Sequence, residues 1–222
     1  MLNQKIRLTI QSFRTQLPAD LSALLEQGAG EISALDINER SRKVGDKAPE
    51  FDLENQYGER RRLPNYLQEG PLVITFYRGV WCPYSDLQLR EYHSRLEEFK
   101  AAGARLVAIT PEKTDALDAL AAGGASSEVV DIAPKQVGFD VLHDPGCRVA
   151  EEYGLVSPLP ETHRQLLDML GVDIQELNGD SAFTFPDPVT YVIDQTGKVS
   201  WAFVPETVQK HAMVDQILLA LR

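Results

Sequence analysis

Cysteine is nearly absent from this chain. Its 222 residues hold only Cys82 and Cys147, neither with metal-ligand spacing around it, so a disulfide scaffold and a cysteine-rich zinc site are both excluded. Long hydrophobic runs are missing too. Leu72-Val73-Ile74 and Ile217-Leu218-Leu219-Ala220-Leu221 fall far short of the roughly 18 residues that cross a bilayer, so no membrane partner is expected. Positive charge is scarce: 22 Lys and Arg against 33 Asp and Glu give a net charge of −11, which repels phosphate and makes nucleic acid an unexpected partner. The four histidines are scattered without zinc spacing, and neither Gly28 to Gly30 nor Gly123-Gly124 has the pattern of a phosphate loop, so no metal and no cofactor is assigned. The N-terminus lacks the apolar core and cleavage site of a secretory signal. Residues 1–19 carry Lys5, Arg7 and Arg14 without an acid, which leaves a transit peptide as the alternative to a cytoplasmic location.

What is present is an ordinary globular composition, 43% hydrophobic and 25% charged, in a chain long enough to bury a full core. Residues 1–43 repeat apolar positions at helical spacing (Leu2, Ile6, Ile10, Leu17, Leu21, Leu24), which predicts two or three short amphipathic helices broken near Pro18 and Gly28 to Gly30. Their apolar stripe is expected to pack on the main domain, 44–222, or on a second subunit, which makes a homodimer the expected assembly. From residue 50 onward, short apolar runs alternate with helical patterns, the order of an α/β fold with a central sheet flanked by helices. Strands are predicted at Leu72–Tyr77, Arg105–Thr110 and Gly138–Leu142, and helices at 83–102, Thr114–Ala122, Gly146–Tyr153 and Thr162–Leu170. Thr190–Asp194 and Lys198–Phe203 form a hairpin, and a last helix carries Val214, Ile217, Leu218 and Leu221. The basic run Glu59-Arg60-Arg61-Arg62 reads as a solvated turn.

Cys82 lies between a predicted central strand and a predicted helix, in Arg78-Gly79-Val80-Trp81-Cys82-Pro83-Tyr84-Ser85. If Cys82 is the helix N-cap, Pro83 falls at the first helical position, where its missing N–H costs nothing. The sulfur then faces free backbone N–H groups and the positive end of the helix dipole, both of which favour a thiolate. Arg78 adds a cation, and Ser85, one turn on, is placed to donate its hydroxyl to the sulfur. Trp81 and Pro83 shield one side, and Tyr84 helps to shape a substrate contact. An isolated cysteine is usually an inert core residue. A strand-to-helix corner at the carboxyl edge of a parallel strand is where α/β folds place ligands, which favours a functional thiol. Cys147, in Asp144-Pro145-Gly146-Cys147-Arg148, also starts a predicted helix but has no aromatic shield, and it reads first as a structural cysteine.

These motifs carry a resemblance. Val44-Gly45-Asp46-Lys47-Ala48-Pro49-Glu50-Phe51, then Phe76 through Tyr84, Asp144-Pro145-Gly146 before Tyr153-Gly154, and Thr190-Tyr191-Val192-Ile193-Asp194 with Gly197 resemble the peroxiredoxin-like branch of the alkyl hydroperoxide reductase and thiol-specific antioxidant family, over about 44–222. The resemblance implies a thioredoxin-like fold and reduction of hydroperoxides through a Cys82 sulfenic acid. It also implies recycling by thioredoxin or a glutathione-type thiol, with Cys147 as a possible resolving thiol, and a helical N-terminal extension. The chain departs from the family pattern in three places. Thr75 and Gly79 stand where peroxiredoxins carry Pro and Thr, Asp187-Pro188 stands where they carry an Arg, and Ser85 stands where related members often carry a second Cys. Pro188 resembles the cis proline that faces the thiol in thioredoxins and is a candidate for substrate contact. These departures keep two alternatives in view: a monothiol oxidoreductase for thiol-disulfide exchange, and a non-catalytic binding or dimer scaffold.

Overall fold

The computed structural model describes residues 2–116, 118–119, 137–207 and 210–222. Helices α1 (Leu2–Gln16) and α2 (Ala19–Ser33) lead into β1 (Asp52–Asn55), β2 (Arg60–Arg62), α3 (Leu63–Glu69) and β3 (Leu72–Phe76). Then come α4 (Pro83–Ser94), α5 (Leu96–Ala101), β4 (Arg105–Thr110), β5 (Asp140–His143), a 3-10 turn at Pro145–Cys147 and α6 (Arg148–Glu152). The chain closes with β6 (Val156–Pro158), α7 (Glu161–Met169), α8 (Ile174–Asn178), β7 (Thr184–Pro186), β8 (Thr190–Ile193), β9 (Val199–Phe203) and α9 (Val214–Ala220). The helix expected at Thr114–Ala122 runs into 117 and 120–136, which lie outside the described residues, as does Gly123-Gly124.

Among the described residues, seven strands form one mixed sheet in the order β2-β1-β5-β4-β3-β8-β9, with β3, β4 and β5 parallel and the hairpins β1-β2 and β8-β9 antiparallel at its two edges. β6 and β7 pair separately. β3 is buried along its whole length, as its Leu-Val-Ile-Thr-Phe run requires of a strand covered on both faces. The mixed sheet flanked by helices is therefore the architecture the sequence pointed to. No described helix is long and apolar enough to cross a membrane.

Three local expectations change, and a fourth, left between two outcomes, is decided. The Arg60–Arg62 run is an edge strand rather than a turn, and its charge is answered: Arg60 and Arg62 both reach Asp52 at 2.9 Å, and Arg61 reaches Asp140 at 3.1 Å. The helix expected at 83–102 breaks at Arg95, which leaves helical geometry while its guanidinium bridges Glu98 and Asp215 at 2.7 Å each. The N-terminal helices part at Pro18, where proline cannot serve a helix interior, yet α2 continues through Gly28 and Gly30. Packing explains that continuity: a Cβ on Gly28 would sit 2.5 Å from His163 Nδ1, so the glycine lets α2 approach α7 closely. Finally, the apolar stripe Leu2, Ile6, Ile10 is spent on this chain, in one cluster with Val80, Trp81, Cys82 and Tyr84. Burying each such side chain contributes roughly 1.5–3 kcal/mol.

Gly28→Val is expected to lower stability by about 1–3 kcal/mol, the usual cost of overpacking, and to move Trp81 towards water. Urea unfolding followed by tryptophan fluorescence, compared with the parent, measures both.

Candidate active site

The corner between β3 and α4 is tight. Tyr77 N–H still donates to Ile109 O of β4 at 3.0 Å, Gly79 takes φ +144°, and Cys82 N–H closes a turn onto Gly79 O at 3.1 Å. Cys82 is the N-cap of α4 and Pro83 its first residue, as the sequence implied. Cys82 is 3% exposed. Its side chain makes no capping hydrogen bond to the amides of α4, so the expected contact between the sulfur and those donors is not formed in this conformation. Ser85 is equally buried and its hydroxyl has no hydrogen-bond partner, so it does not donate to the sulfur; one turn of helix puts it on the right side without aiming its Oγ.

Arg78 and Asp187 face each other across the end of β3, 3.8 Å apart and 5% and 4% exposed. Asp187 sits there because Phe76 N–H donates to Val189 O at 2.9 Å, which lays the Asp187-Pro188-Val189 approach to β8 beside the end of β3. Ser157 donates to Asp187 at 2.7 Å, and Arg40, just before the sheet begins, donates to Ser157 at 3.2 Å. Burial pushes the Asp187 carboxyl up, opposed by the Arg78 charge and the Ser157 hydrogen bond. Arg78 also lies over the Phe185 ring at 5.3 Å, yet its Nε has no partner. Both residues line a cavity of about 330 Å³ with Ile32, Leu35, Ile37 and Pro205. Pro188 is buried beside this pair, but its peptide bond is trans, so the expected thioredoxin-style cis proline is not formed; the extended chain entering β8 accommodates the trans bond.

Trp81 meets the ring of His163 edge-on, centroids 6.2 Å apart, and Tyr84 packs in the same cluster. Burial, with the nearby Arg78 charge, depresses His163 to about 4, so it faces Arg78 as a neutral ring near pH 7. Cys147 lies elsewhere, in the hydrophobic cluster beneath the other face of the sheet with Phe76, Tyr153 and Tyr191. It is 2% exposed, and burial together with the Asp144 carboxylate pushes its thiol up to about 12. The structure thus brings Arg78, Trp81, Cys82, Pro83 and Tyr84 into one corner with Pro188 nearby, and it leaves the possible resolving Cys147 as a walled-in neutral thiol.

Glu112 was not singled out from the sequence. It follows β4 directly, so the parallel pairing of β3 and β4 carries it to the same sheet edge as the corner. The signal was an acid just past an apolar strand. Its carboxyl accepts from Val80 N–H at 3.0 and 2.9 Å and from the Thr110 hydroxyl at 3.1 Å. Burial pushes it up to about 8 despite those donors. Among the described residues, no group of three or more His, Cys, Asp or Glu is arranged to hold a metal ion.

A model of the AhpC/TSA family matches residues 44–202. This chain belongs to the AhpC/TSA family. Among its relatives is peroxiredoxin Q, chloroplastic, of Sedum lineare, 27% identical over 182 residues that span 80% of this chain and 77% of that one. Another is peroxiredoxin Bcp of Escherichia coli strain K12, 27% identical over 113 residues, a match that spans 51% of this chain and 65% of Bcp. The crystal structure of peroxidoxin BcpB from Mycobacterium tuberculosis superposes with a TM-score of 0.57 at 24% identity, covering 81% of this chain and 96% of that one. The AhpC/TSA chain described here is thus a peroxiredoxin-like protein of thioredoxin fold, a thiol-dependent peroxidase and so an oxidoreductase.

Because the Glu112 carboxyl holds its proton up to about pH 8 in the folded chain but ionises near 4.5 once unfolded, the folded state binds more protons between these values. Its contribution to stability therefore falls as pH rises through that window. Glu112→Gln is expected to flatten the loss: urea midpoints at pH 5 and pH 9 should differ less in the variant than in the parent.

Proposed function

We propose that Cys82 is the thiol through which this peroxidase reduces hydroperoxides. The supporting observation is its place as N-cap of α4, directly after the central strand and beside the Arg78–Asp187 pair. The thiolate is the reactive form of a cysteine. Its sulfur attacks the distal peroxide oxygen; an S–O bond forms as the O–O bond breaks, sulfur is oxidised by two electrons, and the leaving oxygen takes a proton to become an alcohol or water. Arg78 and Asp187 line a cavity that Cys82 itself does not line, and the buried Nε of Arg78, which has no partner, is the donor available to stabilise charge on a peroxide oxygen that enters the corner. The Arg78 charge is shared with Asp187, so Arg78 stands in only in part for the Arg that the family carries just before β8.

The sulfenic acid is returned by an outside thiol, which displaces water to give a mixed disulfide that a second thiol resolves. A thioredoxin-type dithiol fits this role, because the Cys147 thiol is buried beneath the other face of the sheet and held neutral. With Cys82 only 3% exposed, a protein partner, disulfide or thioredoxin-type dithiol alike, reaches the sulfur only after the corner opens, which disfavours exchange as the primary activity; a non-catalytic scaffold has no need of a buried guanidinium with an unused donor. Residues 1–43 form an extension to the domain at 44–222, and its helices roof the site. We place the protein in the cytoplasm on its acidic composition. For a homodimer, the exposed Leu8 and Leu219 offer apolar surface.

Cys82→Ser is expected to abolish the rapid consumption of one equivalent of hydrogen peroxide in stopped flow, while Cys147→Ser leaves it intact; loss in the second variant and not the first would reverse the assignment. Arg78→Lys keeps a charge opposite Asp187 but gives up the forked donor, and is expected to slow the peroxide reaction by about 100-fold, as removal of one preorganised donor does. The second-order rate constant reads this, with a urea melt to separate it from unfolding.

A further inference from the structure

Glu112 is a buried acid for which the reaction above has no use. It is 1% exposed, and among the described residues no salt bridge reaches it. Its oxygens instead turn to the backbone of the corner. Val80 N–H is shared between Oε1 and Oε2, and the buried Thr110 hydroxyl fixes Oε2 from behind. Val80 lies inside the turn that Cys82 N–H closes on Gly79 O. Gly79 completes the fit, since a Cβ there would stand 2.5 Å from Glu112 Oε1 and 2.6 Å from Trp81 Nε1. The carboxyl, the glycine and the indole thus occupy one space immediately before the sulfur. Burying an acid without a cation is costly, and the side chain that bears this cost grips the segment carrying Cys82.

We propose that Glu112 is a positioning residue: through Val80 it clamps the Gly79–Cys82 turn in the arrangement from which the sulfur attacks peroxide, and its release opens the turn to a larger thiol. This rests on Cys82 as the reacting thiol. The clamp opposes two needs of the cycle, because peroxide attack demands a fixed line of approach whereas a thiol partner demands exposure of the same sulfur. Loosening the clamp therefore shifts the two reactivities in opposite directions; unfolding of a buried cysteine does the same, so both rates are read on variants whose urea midpoint stays within the folded range of the background, where the recovery by Glu112→Gln marks the clamp.

The test is made in the Cys147→Ser background with hydrogen peroxide and iodoacetamide as separate probes of Cys82. Glu112→Ala is expected to lower the peroxide rate constant at least tenfold and to raise the iodoacetamide rate at least threefold, and Glu112→Gln, which keeps an acceptor for Val80 N–H, recovers most of the peroxide rate. Should Glu112→Ala fail to fold, Thr110→Val loosens the same carboxyl and is expected to move both rates in the same directions by smaller factors. A peroxide rate within threefold of the background for Glu112→Ala, or an iodoacetamide rate that stays level or falls with it, overturns the proposal; with Thr110→Val, two rates that stay level or fall together do the same. A Cys82→Ser protein that still consumes peroxide overturns the Cys82 assignment instead, so the two failures are told apart.

Discussion

The structure turns on one geometrical demand: a buried parallel strand must become a helix within six residues while leaving a sulfur at the corner. β3 ends at Phe76 and α4 starts at Pro83, and each residue between answers part of that demand. Gly79 takes a backbone angle open to it for want of a Cβ, Val80 spends its N–H on Glu112, Cys82 closes the turn, and Pro83 starts the helix without an N–H to satisfy. Arg78 is then forced into the interior, where Asp187 meets it. Removing one member of a buried ion pair costs about 3–5 kcal/mol, since the other is left uncompensated. The Arg40–Ser157–Asp187–Arg78 chain of contacts therefore ties the segment before the sheet to the corner, and the entry to the domain is coupled to the site's geometry.

Burial and reactivity pull against each other at this corner. Leu2, Ile6, Ile10 and Ile32 cover Cys82, and the α1 end of that roof is fastened by a polar network: Asn3 exchanges hydrogen bonds with the backbone of His211, His211 bonds Gln88, and Gln88 bonds Thr75 and Tyr92. Buried polar networks of this kind favour one arrangement among many that apolar contacts alone would allow. A small peroxide needs only a narrow path to the sulfur, whereas a protein thiol needs the surroundings of the sulfur opened. The cycle is thus divided between a closed arrangement that suits the first step and an opened one that suits the second. The roof and the Glu112 clamp both bear on that division, one from outside the corner and one from within.

How far the sequence carried the reading depended on the range of the forces involved. β3 and β4 were legible because a run of β-branched residues bounded by glycine and proline is a local property, and so was Cys82-Pro83 as cap and first residue of α4. The β8-β9 hairpin was legible from its Gln-Thr-Gly turn. The Arg60–Arg62 strand was not, because its charges are answered by Asp52 and Asp140, which lie on two other strands, β1 and β5. Gly28 looked like a helix stop because the sequence cannot show that His163 would lie against it. Ser85 was placed correctly on its turn and wrongly aimed, since residue spacing gives the side of a helix and not the rotamer. Asp187 and Glu112 needed the sheet order before either could be seen to face the corner.

The two cysteines show why position alone does not make a thiol reactive. Each follows a loop and starts a helix, and from sequence the same dipole argument serves both. At Cys147 the helix amides are already taken, because Asp144 accepts from the N–H groups of Val149 and Ala150 at 3.0 and 2.9 Å. That carboxylate caps α6 and adds its own charge beside the sulfur, so burial and repulsion act together to keep the thiol protonated. At Cys82 the nearby acid is seated one step upstream, on Val80, and leaves the amides of α4 alone, while Asp86 within the helix is bound to Arg90 at 2.8 Å. The difference lies in which backbone donors a neighbouring acid claims: in one case two N–H groups of the cysteine's own helix, in the other the Val80 N–H of the turn that presents it.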